Sequence, residues 1–163
     1  MEKTIQQLQS IIENYTPQLQ SIHENALAAK PNLAKWSKKE ILGHLIDSAQ
    51  RKIRRFIVAQ YEDNPKIMYA QDAWVAAANY QNYVTKVLIT LWVVLNKYIG
   101  MILQKTFLAA SQRLSDTNEP HTIQWLVADY NKHTDNAKDY QMLYLVPQRE
   151  LGINKLLIQN PGW

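Results

Sequence analysis

The sequence predicts an all-α protein, an up-down four-helix bundle, and three observations favour that fold class. Glycine and proline are scarce, with 4 and 6 among 163 residues. Strand-like alternation of apolar and polar residues is absent, and apolar residues recur at steps of three and four nearly everywhere. A chain of this length can bury roughly 70% of its unfolded surface in one core. We therefore expect a single domain over residues 1–163.

The first predicted helix covers residues 3–27 and carries one apolar stripe. The members of the stripe alternate by three and four residues: Ile5, Leu8, Ile12, Tyr15, Leu19, Ile22 and Ala26. Pro17 lies within this helix, and the residue before a proline disfavours the α conformation. We therefore expect a kink or a short break near Thr16.

The second predicted helix has the clearest start in the chain. Ser37 is placed as the N-cap, Glu40 completes a capping box three residues later, and Trp36 and Ile41 are spaced for a hydrophobic staple. The helix should run to about Gln60. Its predicted buried face consists of Leu42, Leu45, Ala49, Ile53 and Phe56.

The third predicted helix is the most apolar and is expected at the centre of the bundle. Residues 61–73 before it carry loop signals, with a turn at Asn64-Pro65. The helix itself should begin near residue 79 or 84 and end at Arg113. Its segment VLITLWVVLNKYIGMIL is shorter than the roughly 20 residues of a membrane span and contains a lysine. A buried bundle helix explains it better than a membrane helix.

A polar connection, LSDTNEP, should lead into the fourth helix, which is predicted to start near Pro120 and to reach about residue 145. One stripe along it alternates by four and three residues and directs His133 inward: Leu126, Tyr130, His133, Ala137, Tyr140 and Tyr144. The tail is expected to add a short helix at residues 153–158 and to pack its terminal Trp163.

Composition limits the function classes. The chain has no cysteine, which excludes disulfides, thiolate zinc sites and cysteine nucleophiles. The start of the sequence shows no export signal, so a cytoplasmic location is expected. A formal charge of +4 favours anionic ligands but falls short of a nucleic-acid signature. Much of this positive charge lies between residues 35 and 55, where seven basic residues are offset by only two acidic ones, Glu40 and Asp47.

Two histidines are the candidates for chemistry. His44 and Asp47 share one polar ridge of the second helix with Glu40 and Arg51, because residues three and four apart lie on the same face. A histidine there can bind a metal while the carboxylate orients the ring or acts as a base. A solvent-facing ridge of paired charges would have the same spacing. His133 lies in an apolar stripe, so it is either a metal ligand or a core histidine that bonds a neighbouring tyrosine.

The segment WSKKEILGHLIDSAQRKIRRF resembles the second helix of the DinB-like superfamily of four-helix metal-binding proteins. The matching residues are Trp36, Glu40, His44, Asp47, Arg55 and Phe56. IQWLVADYNKH, residues 123–133, resembles the fourth helix of that superfamily, where a Trp-Leu pair and a tyrosine precede a metal-binding histidine.

The resemblance implies one divalent metal, zinc, nickel or manganese, held by one histidine of the second helix and two of the fourth. His44 and His133 match two of these positions, and the third falls on Ala137, which cannot ligate. A substitute set of His44, His133 and Asp129 is conceivable. The alternative is a two-histidine remnant that binds metal weakly or not at all.

For function, the resemblance implies a metal-dependent hydrolase or thiol S-transferase that acts on a small molecule. In that scheme Asp47 is a base or orients a ligand, and Arg51 and Arg55 attract an anionic substrate. Because of Ala137, whether the chain is an enzyme stays open. The alternative is a noncatalytic bundle that binds a small ligand or a protein through the same cavity. A homodimer is expected, and membrane or nucleic-acid partners are not.

Overall fold

The computed structural model describes residues 2–106 and 108–137, and these residues form a mainly helical chain. The elements in chain order are α1 (Glu2–Ser21), α2 (Glu24–Ala28), α3 (Lys38–Val58), α4 (Gln71–Ala78), a 3-10 turn (Tyr80–Asn82), α5 (Thr85–Lys105), α6 (Leu108–Ser111), β1 (Leu114–Asp116), β2 (Pro120–Thr122) and α7 (Ile123–Ala137).

The four long helices α1, α3, α5 and α7 form the predicted four-helix bundle. Helix α3 packs against α5 and α7, and α1 packs against the same two helices. The first two long helices of the chain therefore lie diagonally across the bundle, and the connection through α2 crosses from one to the other. This order places α3 directly beside α7, the two helices that carry the candidate histidines.

Helix α1 runs through Pro17 and ends at Ser21, so the expected short break near Thr16 is wrong, and the kink stays a prediction. The break comes at residues 22–23, before α2. Pro17 is exposed, so water can satisfy the carbonyl that its missing N–H leaves free. Beyond the proline, the buried side chain of Leu19 holds the last turn against the core.

The start of α3 is as predicted. The Ser37 hydroxyl accepts a hydrogen bond from the backbone N–H of Glu40 at 3.1 Å, and the Glu40 carboxylate accepts one from the N–H of Ser37 at 2.8 Å. The predicted inner face is also confirmed: Leu42, Leu45, Ala49 and Phe56 are buried, and Ile53 is partly buried. The helix ends at Val58, two residues before the predicted end.

Helix α5 packs against α1 and α3 and is shorter than predicted, ending at Lys105 instead of Arg113. By length and composition α5 could cross a membrane. In the bundle one face of it is core, with Trp92 and Ile99 fully buried. Its other face leaves exposed a stripe of apolar residues, which the N-cap residue Val84 extends: Val87, Leu91, Val94, Tyr98 and Met101. The homodimer stays a prediction.

Helix α4 and the hairpin of β1 and β2 were not predicted. The hairpin is antiparallel and pairs Leu114 with Thr122, so Pro120 belongs to a strand and does not begin the fourth helix. Helix α7 begins at Ile123 because the Thr122 hydroxyl accepts a hydrogen bond from the N–H of Trp125 at 3.1 Å, as an N-cap does. The predicted extension to residue 145, the helix at 153–158 and the packing of Trp163 lie outside the described residues.

Candidate functional site

The structure brings His44 and His133 together, one from α3 and one from α7. Their Nε2 atoms lie 3.2 Å apart, and the two rings are perpendicular, with centroids 5.4 Å apart. We call these two residues the histidine pair. The convergence requires α3 and α7 to be neighbours, which the diagonal placement of α1 and α3 allows.

The surroundings of the pair fix the ring of His44 and keep both rings neutral. The Nδ1 atom of His44 lies 3.1 Å from the Tyr69 hydroxyl, and the Trp36 ring lies 5.3 Å away, centroid to centroid. Burial lowers the pKa of His44 to about 4, and the charges of His133 and Arg51 act in the same direction. Burial, followed by the charge of Lys52, also lowers the pKa of His133. Neutral imidazole is the form that binds metals.

Asp47 lies one turn after His44 and is buried. The Tyr80 hydroxyl donates a hydrogen bond to its Oδ1 atom, and its Oδ2 atom has no partner among the described residues. Burial raises the pKa of Asp47 to about 6, although the bond from Tyr80 opposes the rise. A carboxyl group with a pKa near neutrality can act as a general acid or base. The role of base predicted for Asp47 is chemically possible here and stays a prediction.

Tyr80 reaches Asp47 because α3 has a glycine at the contact. A Cβ atom on Gly43 would collide with the Tyr80 ring. The absence of a side chain at this position lets the 3-10 turn pack directly on α3, which brings the phenol to the carboxyl group.

The predicted substitute ligand Asp129 is turned to a different partner. Its Oδ2 atom lies 3.5 Å from the Nζ atom of Lys52. Across residues 2–106 and 108–137, no group of three His, Asp or Glu side chains is arranged to hold a metal. The structure therefore brings together His44 and His133 but does not assemble the set of His44, His133 and Asp129.

The separation of the two Nε2 atoms in the histidine pair matches that of two ligands of one divalent metal. Two imidazole nitrogens about 2.0–2.1 Å from one tetrahedral zinc lie about 3.3–3.4 Å apart, and the observed separation is 3.2 Å. A ligating histidine usually has a polar partner on its other nitrogen. The Tyr69 hydroxyl occupies that position for His44.

The two predicted substrate-binding arginines lie on the same side of α3, farther along the helix. The guanidinium carbon of Arg51 lies 4.5 Å above the centroid of the Tyr69 ring. An Nη atom of Arg55 donates a hydrogen bond to the carbonyl of Ile67 at 2.6 Å. Both arginines line a cleft of about 280 Å³, as Asp129 also does.

Sequence reasoning missed Lys52, Tyr69 and Tyr80. Lys52 had a signal, because it lies three residues after Ala49 and four before Phe56, within the buried stripe of α3. A lysine in an apolar stripe is unusual and indicates a buried charge. No sequence pattern indicated Tyr69 or Tyr80, because the segment that carries them has no helical periodicity long enough to predict which way their side chains point.

Two solved structures share this fold. One is YfiT from Bacillus subtilis, described as a probable metal-dependent hydrolase with an unusual four-helix bundle topology. It has 20% sequence identity and a TM-score of 0.79 over 88% of this chain and 84% of its own. The other is the mycothiol-dependent maleylpyruvate isomerase, with 14% identity and a TM-score of 0.71 over 85% of this chain and 59% of its own. No family model and no curated protein sequence matches the chain. The chain thus shares the four-helix-bundle fold of these two proteins, at identities that carry no statement about activity.

Proposed function

We propose that this chain is a DinB-like metal-dependent hydrolase or thiol S-transferase that acts on a small molecule at the histidine pair. The observation that carries the proposal is the 3.2 Å separation of the Nε2 atoms of His44 and His133, which come from two different helices. The shared fold with YfiT supports it. We expect the protein in the cytoplasm, as predicted from the sequence.

His44 and His133 would hold the metal, and water or substrate would complete its coordination. A bound divalent metal supplies a Lewis acid and lowers the pKa of its water. The chain prepares for this in two ways. Tyr69 orients the ring of His44, and the lowered pKa values keep both rings neutral near pH 7. With two protein ligands, we expect weak metal binding.

Asp47 would move protons next to the pair. Tyr80 holds its Oδ1 atom with a hydrogen bond, which leaves Oδ2 as the atom that can take up a proton. With a pKa of about 6, this carboxyl group is mainly ionised at pH 7 and can accept a proton.

A second candidate is a noncatalytic protein that binds a small ligand or a protein through the same site. One observation favours it: the part of the chain that the structure describes holds no three-residue metal group. In that case the histidine pair is a neutral polar contact in which one Nε2–H donates to the other ring.

Metal titration decides between the two candidates. If the first is right, calorimetry of the full chain with zinc, nickel or manganese shows about one saturable equivalent, and His44→Ala and His133→Ala each abolish it. His23→Ala is the matched control, because His23 is exposed and lies outside the pair. Absence of saturable uptake, or equal loss in all three variants, would contradict the metal-dependent function and favour the binding protein.

A further inference from the structure

Three cationic side chains are gathered on one side of α3, next to the histidine pair. Lys52 and Arg55 are 4% and 3% exposed, and Arg51 is partly buried. Burying a charged group without compensation is costly, so buried lysines and arginines normally have close anionic partners. We call Arg51, Lys52 and Arg55 the cation cluster.

The cation cluster has few anionic partners within the described chain, although Arg55 donates a hydrogen bond to the carbonyl of Ile67 at 2.6 Å and the guanidinium of Arg51 lies over the Tyr69 ring. The Nζ atom of Lys52 lies 3.5 Å from Asp129 and 3.4 Å from the carbonyl of Leu126, both long contacts. The Nε atoms of Arg51 and Arg55 are buried and have no hydrogen-bond partner among residues 2–106 and 108–137. Burial lowers the pKa of Lys52 to about 8 and that of Arg55 to about 10, as expected for incompletely compensated charges.

The nearby carboxylates do not balance the cluster. Asp129 attracts all three cations, and Asp116 attracts Arg55. Among the described residues that line the cleft, Asp129 is the one carboxylate, and its side chain is 45% exposed. Three buried or partly buried cations thus share two carboxylates within the described residues, which leaves a net positive charge at the base of the cleft.

The cleft has the size and walls of a small-molecule site. Its volume of about 280 Å³ is close to the lower end of ligand pockets, which measure roughly 300–1,000 Å³. Tyr69 and Trp125 provide aromatic walls, and Thr117 and Asn118 provide polar groups. Tyr69 also contacts His44, so the same side chain borders both the cleft and the histidine pair.

We propose that the cation cluster binds the carboxylate or phosphate group of the small molecule on which the protein acts, and so places the rest of that molecule beside the histidine pair. This inference rests on the proposed function for the identity of the molecule as a substrate, but the binding of an anion stands on the cleft alone. The guanidinium groups of Arg51 and Arg55 are suited to the recognition of either group, since both accept paired hydrogen bonds.

The test is calorimetry of the full chain with inorganic phosphate and with succinate, at an ionic strength held constant with KCl. We expect saturable binding of at least one of the two anions. Binding of phosphate but not succinate identifies a phosphoryl group, and the reverse identifies a carboxylate. Arg51→Gln should weaken binding about tenfold, the loss of about one charge-assisted hydrogen bond. Arg54→Gln is the matched control, because Arg54 is the exposed arginine of the same helix and does not line the cleft.

Absence of saturable binding of both anions would overturn the inference, and so would an equal loss in Arg51→Gln and Arg54→Gln. Zinc uptake measured on the same samples distinguishes a failure of the anion-binding inference from a failure of the proposed metal-dependent function. Anion binding without zinc uptake supports the cation cluster and contradicts the metal-dependent activity, whereas zinc uptake without anion binding does the opposite.

Lys52→Met distinguishes a binding role from a structural one. Replacement of a poorly paired buried charge by an apolar side chain of similar length is often neutral or stabilising. We therefore expect weaker anion binding with no loss of melting temperature. A lower melting temperature with unchanged anion binding would show that the cation is structural and would overturn its assignment to the cluster.

Discussion

The histidine pair and the cation cluster lie along the same side of α3, yet they differ in how far the protein satisfies them. In the histidine pair the contacts are between neutral groups: one ring nitrogen of His44 contacts His133 and the other contacts Tyr69. In the cation cluster, Arg51 and Arg55 keep buried Nε atoms without partners in the described chain. Folding alone supplies polar partners for the histidine pair, whereas the cation cluster still lacks an anion.

The difference shows how one helix can separate two tasks. Neutral imidazoles can remain buried without a metal because they hydrogen-bond to each other, so the fold does not require a metal there. The cations share few anionic partners among the described residues, so their position indicates that an anion binds there. Changes at one region should therefore act mainly on binding at that region, although the charges of Arg51 and Lys52 also act on the two imidazoles.

Ala137→His should produce the largest difference between its effect on zinc binding at the histidine pair and its effect on anion binding at the cation cluster. Residue 137 lies one helical turn after His133, on α7, at the third histidine position of the family pattern. An added ligand should strengthen zinc binding by at least about a hundredfold, since loss of a mere hydrogen-bond partner of a ligand already costs about 10–100-fold. Zinc calorimetry checks this, with Ala109→His as the control on an exposed alanine of α6. Equal zinc affinity in the variant and the parent would show that residue 137 does not face the pair.

Tyr69→Phe should weaken zinc binding by about tenfold or more, because the hydroxyl that orients His44 is removed. The phenyl ring keeps its place beneath the guanidinium of Arg51, so phosphate or succinate binding should change less than about threefold. Parallel titrations with zinc and with each anion measure both effects. A variant that loses anion binding and keeps zinc binding would reverse the assignment of the two regions.

Gly43→Ala should lower the free energy of unfolding by about 1–3 kcal/mol, because the new methyl group collides with the Tyr80 ring. Gly100→Ala is the matched control: it is also a helical glycine, but open space surrounds it, so it should stabilise the protein by about 0.4–1 kcal/mol. Urea unfolding measures both. A stable Gly43→Ala variant would mean that the turn carrying Tyr80 can move away from α3 at little cost.

Asp47→Asn should show a smaller effect that depends on pH. In the folded state Asp47 has a pKa of about 6, above the value of about 3.9 for an unfolded chain, so between these values the folded state retains a proton that the unfolded state has released. Stability contributed by this group is therefore lost as the pH rises from about 4 to 6. Tyr80 and Tyr69, which face it, stay neutral there, because burial raises the pKa of both.

The stability of Asp47→Asn relative to the parent should thus increase by about 1–2 kcal/mol from pH 4 to pH 7. Urea unfolding at each pH measures this difference, in which contributions from other groups cancel. A difference that is constant over the range would mean that the carboxyl group titrates normally and is not held in a buried site.

Much of the bundle follows from the sequence because helix stripes and caps are local. Ser37 and Glu40 fix the start of α3, and the spacing of Leu42, Leu45 and Ala49 fixes its inner face. The same spacing places His133 towards another helix. It cannot say which helix, because the order of helices around the bundle depends on packing between distant segments.

The parts that were missed are those set by long-range contacts. The hairpin of β1 and β2 holds Pro120 in a strand, although a proline there also suits a helix start. Tyr69 and Tyr80 come from a connection and a 3-10 turn, so their approach to His44 and Asp47 depends on tertiary packing. Asp129 has the right spacing for a ligand, but the attraction of Lys52 determines where its carboxylate lies.

The central claim is that the imidazoles of His44 and His133 share one binding point. Long-range ¹⁵N–¹H NMR of the histidine side chains during a zinc titration tests it directly. We expect the Nε2 resonances of His44 and His133 to shift together in one saturable step, while those of the exposed His23 stay unchanged. A shift of only one of the two, or a shift of His23 at the same zinc concentration, would contradict the claim.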